Sequence, residues 1–385
     1  MIRFILLFIL LNIHLVSSLW AASCAEGFNG TPQIADSLEC EWQGGAGARV
    51  DIKSLGVADS YKFSGLATYL NAVTFVLSEG NDVENIQPGE LVALPNKNRI
   101  TVRGRFNVAV FSTEDVVVKV SDEAIFFQPF EKRTPNIRYT VFSKDARAIF
   151  EAGKYQHLWG WLALLAKSAE WSLVSIQQVF DLSWGLTVIV FSIAVKVLLI
   201  PVSVLVVNFQ RAVSKYQSLL EPQIKEIKSK HDGEQAHERI MAAHKSLGIS
   251  PFYTLKPMLG TAIQIPILIA VFNALGEMPH FNGSDFLWIN NLAYPDAFFE
   301  FQKDLPLLGG TFNLLPILMT IVSILSALMF KNKYASPQEV GHQRLKLYLM
   351  AIVFLVLFYP FPAVMVLYWT LANILHAIQQ QFIKI

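Results

Sequence analysis

Charge is scarce in this chain. Charged side chains are 16% of its 385 residues and hydrophobic ones 53%, too apolar for a soluble protein of this length and right for a polytopic membrane protein. Lys and Arg (31) nearly balance Asp and Glu (30), so no basic surplus points to nucleic acid. There is no glycine-rich phosphate loop of the Walker type and no nucleophile elbow, which leaves a nucleotide-driven pump or a serine hydrolase without support. His237-Glu238 and His244 hint at a zinc protease, but histidines seven apart on a helix are about 10 Å from each other, too far to share a metal.

Against this background one lysine stands out. Residues 186–207 read LTVIVFSIAVKVLLIPVSVLVV, a run long enough to cross a bilayer, and a charge near its middle costs about 2.5–3.5 kcal/mol on insertion scales. On a helix Ser192, Lys196 and Ser203 share a stripe, while Phe191, Ala194, Val197 and Leu198 point elsewhere. About ten residues lie on either side, which makes snorkelling to a headgroup hard. The other apolar runs hold no Asp or Glu, so Lys196 lacks an obvious ion-pair partner there and is expected to face a wet or protein-lined surface inside the membrane.

The N-terminus combines Arg3, an apolar core and small residues, as a secretory signal does. Residues 1–23 are a cleaved signal or an uncleaved anchor. Ala21-Ala22-Ser23-Cys24 loosely fits a lipoprotein cleavage box, and a Cys24–Cys40 disulfide is the further option. Residues 24–150 read as a small all-β exported domain. Its cues are alternation through Ile100, Val102, Phe106, Val108 and Val110, a second run at Val116, Val118 and Val120, and turn-formers at Gly44-Gly45, Gly80-Asn81 and Pro95-Asn96. In 154–178, Trp159, Trp161 and Trp171 among leucines suit an interfacial helix. Apolar segments follow at 184–207, 256–275, 312–330, 346–360 and 363–381, the last two divided by Tyr359-Pro360-Phe361-Pro362. Seven Lys or Arg in 209–250 and four in 331–346, against one Lys and five acids in 276–311, place the first two loops in the cytoplasm. Residues 209–247 form a charged helical hairpin turning at His231-Asp232-Gly233.

The order of these segments, with Lys196, Gln264-Ile265-Pro266, Leu367-Tyr368-Trp369, Asn373 and Gln379-Gln380, resembles the YidC family of membrane protein insertases. The resemblance covers roughly the C-terminal three fifths, 151–385. It implies a five-helix insertase core with an N-terminal anchor or signal, a small all-β periplasmic domain and a cytoplasmic helical hairpin. It also implies a hydrophilic groove closed to the outside and open to cytoplasm and lipid. By position Lys196 corresponds to the family's groove cation, Ser192 and Ser203 share its stripe, and Gln264, Tyr368, Trp369 and Asn373 complete the groove set. The resemblance implies no cofactor, metal or catalysis. The implied partners are nascent membrane proteins and membrane lipids, with the Sec translocon and the ribosome beside them. The implied place is the bacterial inner membrane, with both termini cytoplasmic if the anchor stays. Bacterial relatives usually carry arginine where this chain has Lys196, and lysine keeps the attraction for a carboxylate but loses the planar fork. A non-translocating assembly scaffold and a small-solute transporter are the rival readings. A transporter would show paired repeats, which five unequal spans do not, and a scaffold would tolerate loss of Lys196.

Overall fold

The computed structural model describes residues 24–382 except 27, 33–37, 44–46, 60, 80–81, 95–97, 130–135, 145–154, 156, 251, 253–255, 306–308 and 330–336. The expected signal or anchor over 1–23 and the three turn signals lie outside these residues. The chain divides into two units, 1–62 with 71–144, and 63–70 with 145–385.

The first unit is a β-sandwich. Its strands are β1 Phe28–Pro32, β2 Leu38–Trp42, β3 Ala48–Asp51, β4 Thr74–Glu79, β5 Asp82–Ile86, β6 Leu91–Leu94, β7 Asn98–Arg103, β8 Asn107–Glu114, β9 Val116–Val120, β10 Ala124–Pro129 and β11 Asn136–Ser143. One sheet runs β1-β2-β11-β8-β7-β4-β5 and the other β3-β10-β9-β6. Inward side chains of both build one core, with Ile100, Val102, Phe111 and Ile137 from the first and Val50, Val118, Val120 and Phe127 from the second. Phe111 and Phe127 meet across it with centroids 5.3 Å apart.

The alternation expected through Val108 and Val110 is displaced. Ile100 pairs with Phe111 and Val102 with Ala109, so Ala109 and Phe111 point into the core while Val110 lies opposite Thr101 on the other face. The turn at 104–106 resets the parity, because side chains alternate within a strand and not through a hairpin. That turn is pinned: a Cβ on Gly104 would collide with the Val57 carbonyl, and the next residue, Arg105, makes a 3.1 Å ion pair with Asp59 that is almost wholly buried. Cys24 and Cys40 are joined by a disulfide. Beside it, the Ala25 N–H donates to the Tyr139 hydroxyl at 2.8 Å.

The second unit is helical: α1 Gly160–Phe180, α2 Trp184–Leu198, α3 Ile200–Lys230, α4 Gly233–Ser246, α5 Lys256–Glu277, α6 Leu314–Met329, α7 Pro337–Phe358 and α8 Ala363–Phe382, with a small hairpin β12 Phe299–Leu305 and β13 Gly309–Phe312. Residues 63–70, read in sequence as part of the β domain, group with this unit, where Phe63 stacks on Tyr294 at 6.2 Å.

Helices α1 and α2 meet at a 118° bend, where Asp181 adopts φ 48°. The outer side of α1 leaves Trp161, Leu164 and Trp171 exposed. Its inner side holds a group that an apolar pattern hides. Glu170 is fully buried and accepts a 2.6 Å hydrogen bond from the buried Tyr155 hydroxyl. Burial, with Glu170 and Glu277 nearby, holds that phenol well above its ordinary value.

The run at 184–207 is divided at Leu199, just before Pro201. The hydrogen-bond ladder nevertheless carries across, from Leu199 N–H to Val195 and from Ser203 N–H to Leu199. From there α3 continues without a break into the first arm of the charged hairpin, 31 residues or about 47 Å at 1.5 Å per residue. Gly233, at φ 59°, reverses the chain into α4, and the arms close over Leu220, Ala243 and Ile249 with Tyr216 and Ile224 beside them.

Among the described residues, 340–358 within α7 is the one helix long and apolar enough to cross a membrane alone. The α1–α2 pair passes the same test together, and Ile200–Val213, Gln264–Glu277, Leu314–Met329 and Ala363–Gln379 are shorter apolar helices. Helix α7 starts nine residues before the expected 346, because its polar first turns join the apolar part in one ladder. Its Leu349, Ile352, Val353 and Val356 are exposed, as they would be against lipid tails.

A polar loop seats α6 and α8. Asp296 Oδ2 accepts the backbone N–H groups of Leu314 and Leu315, both at 2.8 Å, and the Trp288 indole N–H at 3.1 Å. It satisfies two donors that the first turn of a helix leaves open. The carbonyls of Tyr294 and Leu292 do the same for Ala363 and Val364 of α8 at 2.8 and 3.0 Å.

Candidate functional site

Lys196 lies on α2, half-buried. Ile193, Ala194, Val197 and Leu198 on the same helix are exposed, while Phe191 and Ser192 are buried. The lysine therefore sits at the border of the packed side, and Phe191, expected to point away, belongs to that side. Among the described residues no carboxylate forms an ion pair with Lys196. The Ser192 hydroxyl donates to the Val188 carbonyl four residues back at 2.6 Å, so its hydrogen is spent within the helix. Ser203, one turn into α3, is likewise buried.

The wall facing Lys196 is α8. From Phe361 to Tyr368 every residue is buried, whereas from Leu371 on the helix is half-buried, with His376 and Ile378 exposed. The helix is thus enclosed at its start and opens along its second half. The enclosed half is sealed by rings. Tyr368 lies 6.3 Å from Phe191 and 6.1 Å from Phe272 of α5. Trp369 lies 5.9, 5.4 and 5.2 Å from Phe272, Phe354 and Phe358. Aromatic pairs at such spacing add about 0.5–1.5 kcal/mol each to their area burial, so both residues are fixtures of a seal joining α2, α5, α7 and α8.

Helices α2 and α8 run parallel from that seal. Lys196 is five residues past Phe191 and His376 eight past Tyr368, about 7.5 and 12 Å along, and the two come within electrostatic range of each other. A lone histidine in an apolar helix gave no sequence cue, so His376 was missed. Asn373 does not stand free in the open half: its Nδ2 donates to Ser323 Oγ of α6 at 3.2 Å, tying two helices. Gln264 on α5 is half-buried. The geometry thus brings together Lys196, Phe191, Tyr368 and His376, while Trp369 and Asn373 face α7 and α6.

Gly185, near the start of α2, has the Phe286 ring where a Cβ would stand, which sets the close approach of this helix to the loop after α5.

Helices that present bare aliphatic faces around a half-buried lysine define an integral membrane protein with a polar site among its helices. The chain belongs to the family described as 60Kd inner membrane protein, whose model matches residues 175–385, more than half of the chain. Curated relatives agree with the resemblance drawn from the motifs. The membrane protein insertase YidC of Herminiimonas arsenicoxydans is 32% identical over 244 residues, 63% of this chain and 40% of that protein. That of Chlamydia trachomatis serovar D is 33% identical over 204 residues, 51% of this chain and 25% of that protein. The chain thus spans two fifths or less of the length of these relatives. Among solved structures, the crystal structure of an active YidC insertase with its first transmembrane domain resolved matches at a TM-score of 0.42 and 14% identity, covering 92% of this chain and 79% of that one.

Proposed function

We propose that this chain is a membrane protein insertase. The observation that carries the reading is the change along α8 from complete enclosure behind the aromatic seal to an open second half facing Lys196. A helix enclosed by rings at one end and open toward a cation at the other is what a half-depth groove requires.

In this reading α2 with the start of α3, α5, α6, α7 and α8 are five membrane spans, the β-sandwich stands in the periplasm and the α3–α4 hairpin in the cytoplasm. The protein is then multi-pass in the inner membrane, with both termini cytoplasmic where residues 1–23 remain as an anchor. Carrying a polar tail across lipid is costly because each unpaired peptide group loses its water. A groove that admits water to half depth shortens the apolar path. Lys196 attracts an acidic or polar tail at low dielectric, where one charge acts over several ångströms. Ser192, Ser203, Gln264 and Asn373 line or brace the groove, and Tyr368 and Trp369 close its end. The client's apolar helix meanwhile moves into lipid along α5 and α7. Its partitioning, aided by the membrane potential, supplies the free energy. The clients are nascent membrane proteins, with the Sec translocon and the ribosome as candidate suppliers.

The test is reconstitution of the full chain into liposomes and protease protection of a single-span client with an acidic exported tail. Wild type and Lys196→Arg are expected to protect it, and Lys196→Glu to lose that protection. Equal protection by Lys196→Glu removes the role of the lysine. Protection no better than with empty liposomes refutes the insertase.

A further inference from the structure

Four phenylalanines, Phe298, Phe299, Phe301 and Phe312, lie in and beside the hairpin β12–β13, in a connection where polar side chains would suit water better. Phe312 is the cross-strand partner of Phe299, and such partners share one face of the hairpin. Their rings stack at 4.5 Å with planes 8° apart, and Phe301 meets Phe299 edge-on at 5.3 Å. Clustering does not hide them: Phe298 is 52% and Phe299 47% exposed. Contiguous bare apolar surface of this kind marks a contact.

The rings are held in place from behind. Thr311 Oγ1 donates to Asn313 Oδ1 at 3.1 Å, the Thr311 carbonyl accepts from the Tyr359 hydroxyl at 3.0 Å, and Asn313 Nδ2 donates to the Tyr359 carbonyl at 2.8 Å. This buried network ties the base of the hairpin to the turn after α7, two residues from the start of α6. Helix α6 in turn exposes Ile321, Leu325 and Leu328, which share one face by their spacing of four and three. In an inner membrane protein such a face stands against lipid tails. The hairpin sits at the end of α6 remote from the basic segment 331–346, within the stretch 276–311 that holds one Lys and five acids, and so on the side away from the cytoplasm. Rings at the end of a span fall at the level where headgroups meet the first methylenes, and phenylalanine, with no polar handle, favours the methylenes.

We propose that the β12–β13 hairpin is a lipid-binding element, whose phenylalanine face enters the outer leaflet beside α6 and fixes the depth of that helix in the bilayer. Glu300, exposed and next to Phe299 and Phe301 in the chain, stays among the headgroups and limits how far the hairpin sinks. The inference rests on the reading of α6 as a membrane span and goes beyond it, since spanning requires no rings outside the helix.

The experiment places a photo-crosslinking amino acid at 299, 300 or 325 of the full chain, in liposomes and in isolated inner membranes. Lipid adducts at 299 and 325, and none at 300, are expected in both. Lipid adducts at 325 without any at 299 put the hairpin in water and overturn the proposal, while α6 stands as a span. Adducts at neither position overturn the span reading and this inference with it. Adducts at 300 equal to those at 299 deny the hairpin a lipid-facing side, and a protein adduct at 299 in inner membranes gives the face to a protein partner; either result overturns the proposal. With the probe at 301, Phe299→Leu is expected to keep the lipid adduct and Phe299→Asp to lose it, the two compared at equal denaturation midpoints. An undiminished adduct in Phe299→Asp shows that the rings do not seat the hairpin, and the proposal fails.

Discussion

Removal of the Asp296 carboxylate should loosen the start of α6 by an amount that separates the role of its oxygen from that of its charge. Oδ2 accepts three hydrogen bonds, two of them from the first-turn amides of Leu314 and Leu315, and Asp296 is 3% exposed. Asp296→Ala would leave those donors buried without a partner, at about 1–3 kcal/mol for each. Allowing for relaxation, the loss comes to about 3 kcal/mol. Asp296→Asn keeps an acceptor, and asparagine caps helices about as well as aspartate, so it should stay within about 1 kcal/mol of wild type.

The charge itself is a burden. Burial pushes the Asp296 carboxyl up from its ordinary value, against the opposing pull of its Trp288, Leu315 and Leu314 donors. The folded chain therefore holds this proton more tightly than the unfolded one. The associated stability is fully present below the ordinary carboxylate value and is lost as pH rises through the raised one. Hydrogen exchange of the full chain in lipid nanodiscs, followed at the Leu314 and Leu315 amides, measures all of this. A loss of about 3 kcal/mol is roughly a hundred-fold fall in protection. It is expected for Ala and not for Asn, and Asn should remove the part of the pH dependence due to this group. If Asn matches Ala, the carboxylate charge holds the helix start and the argument from a shared acceptor is wrong.

Other expectations are independent of this loop. Tyr155→Phe removes the donor to buried Glu170 and should cost about 1–2 kcal/mol, read as a lower denaturation midpoint in detergent, while a surface control such as Lys53→Ala should leave it unchanged. Gly185→Val should force α2 off Phe286 and lower the yield of folded protein, whereas Gly341→Ala, in the helix α7 with open space around it and no positive φ, should cost far less. With Cys24 and Cys40 bonded, the chain should resist thiol alkylation until reduced, and a lipid on Cys24 sulfur, seen as added mass, would contradict the bond.

Some of this architecture could be read from the residues and some could not. Lys196 is conspicuous because a charge in an apolar run has no cheap explanation. Val116, Val118 and Val120 are equally plain, since a strand with one face inward must alternate. The parity of β8 was hidden because Gly104 and Arg105 make a turn whose tightness depends on Val57 and Asp59, far away in sequence. Glu170 and His376 were hidden for a related reason. A single polar residue on a helix tells nothing of its surroundings until a second element supplies them, Tyr155 for one and Lys196 for the other. Asn373 shows the converse: its type suits a groove, but its hydrogen bond goes to a neighbouring helix.

The shared ladder across Leu199 makes the helix of Lys196 and the first hairpin arm parts of one shaft. Its weak joints are set by chemistry, because Pro201 and Pro222 each lack the N–H that would close a helical turn. A pull at the hairpin tip would thus be spent first at Pro222, and what passes that joint reaches Pro201, five residues from the lysine. Strain at the hairpin is in this way passed toward Lys196 along one helical line, through two proline joints.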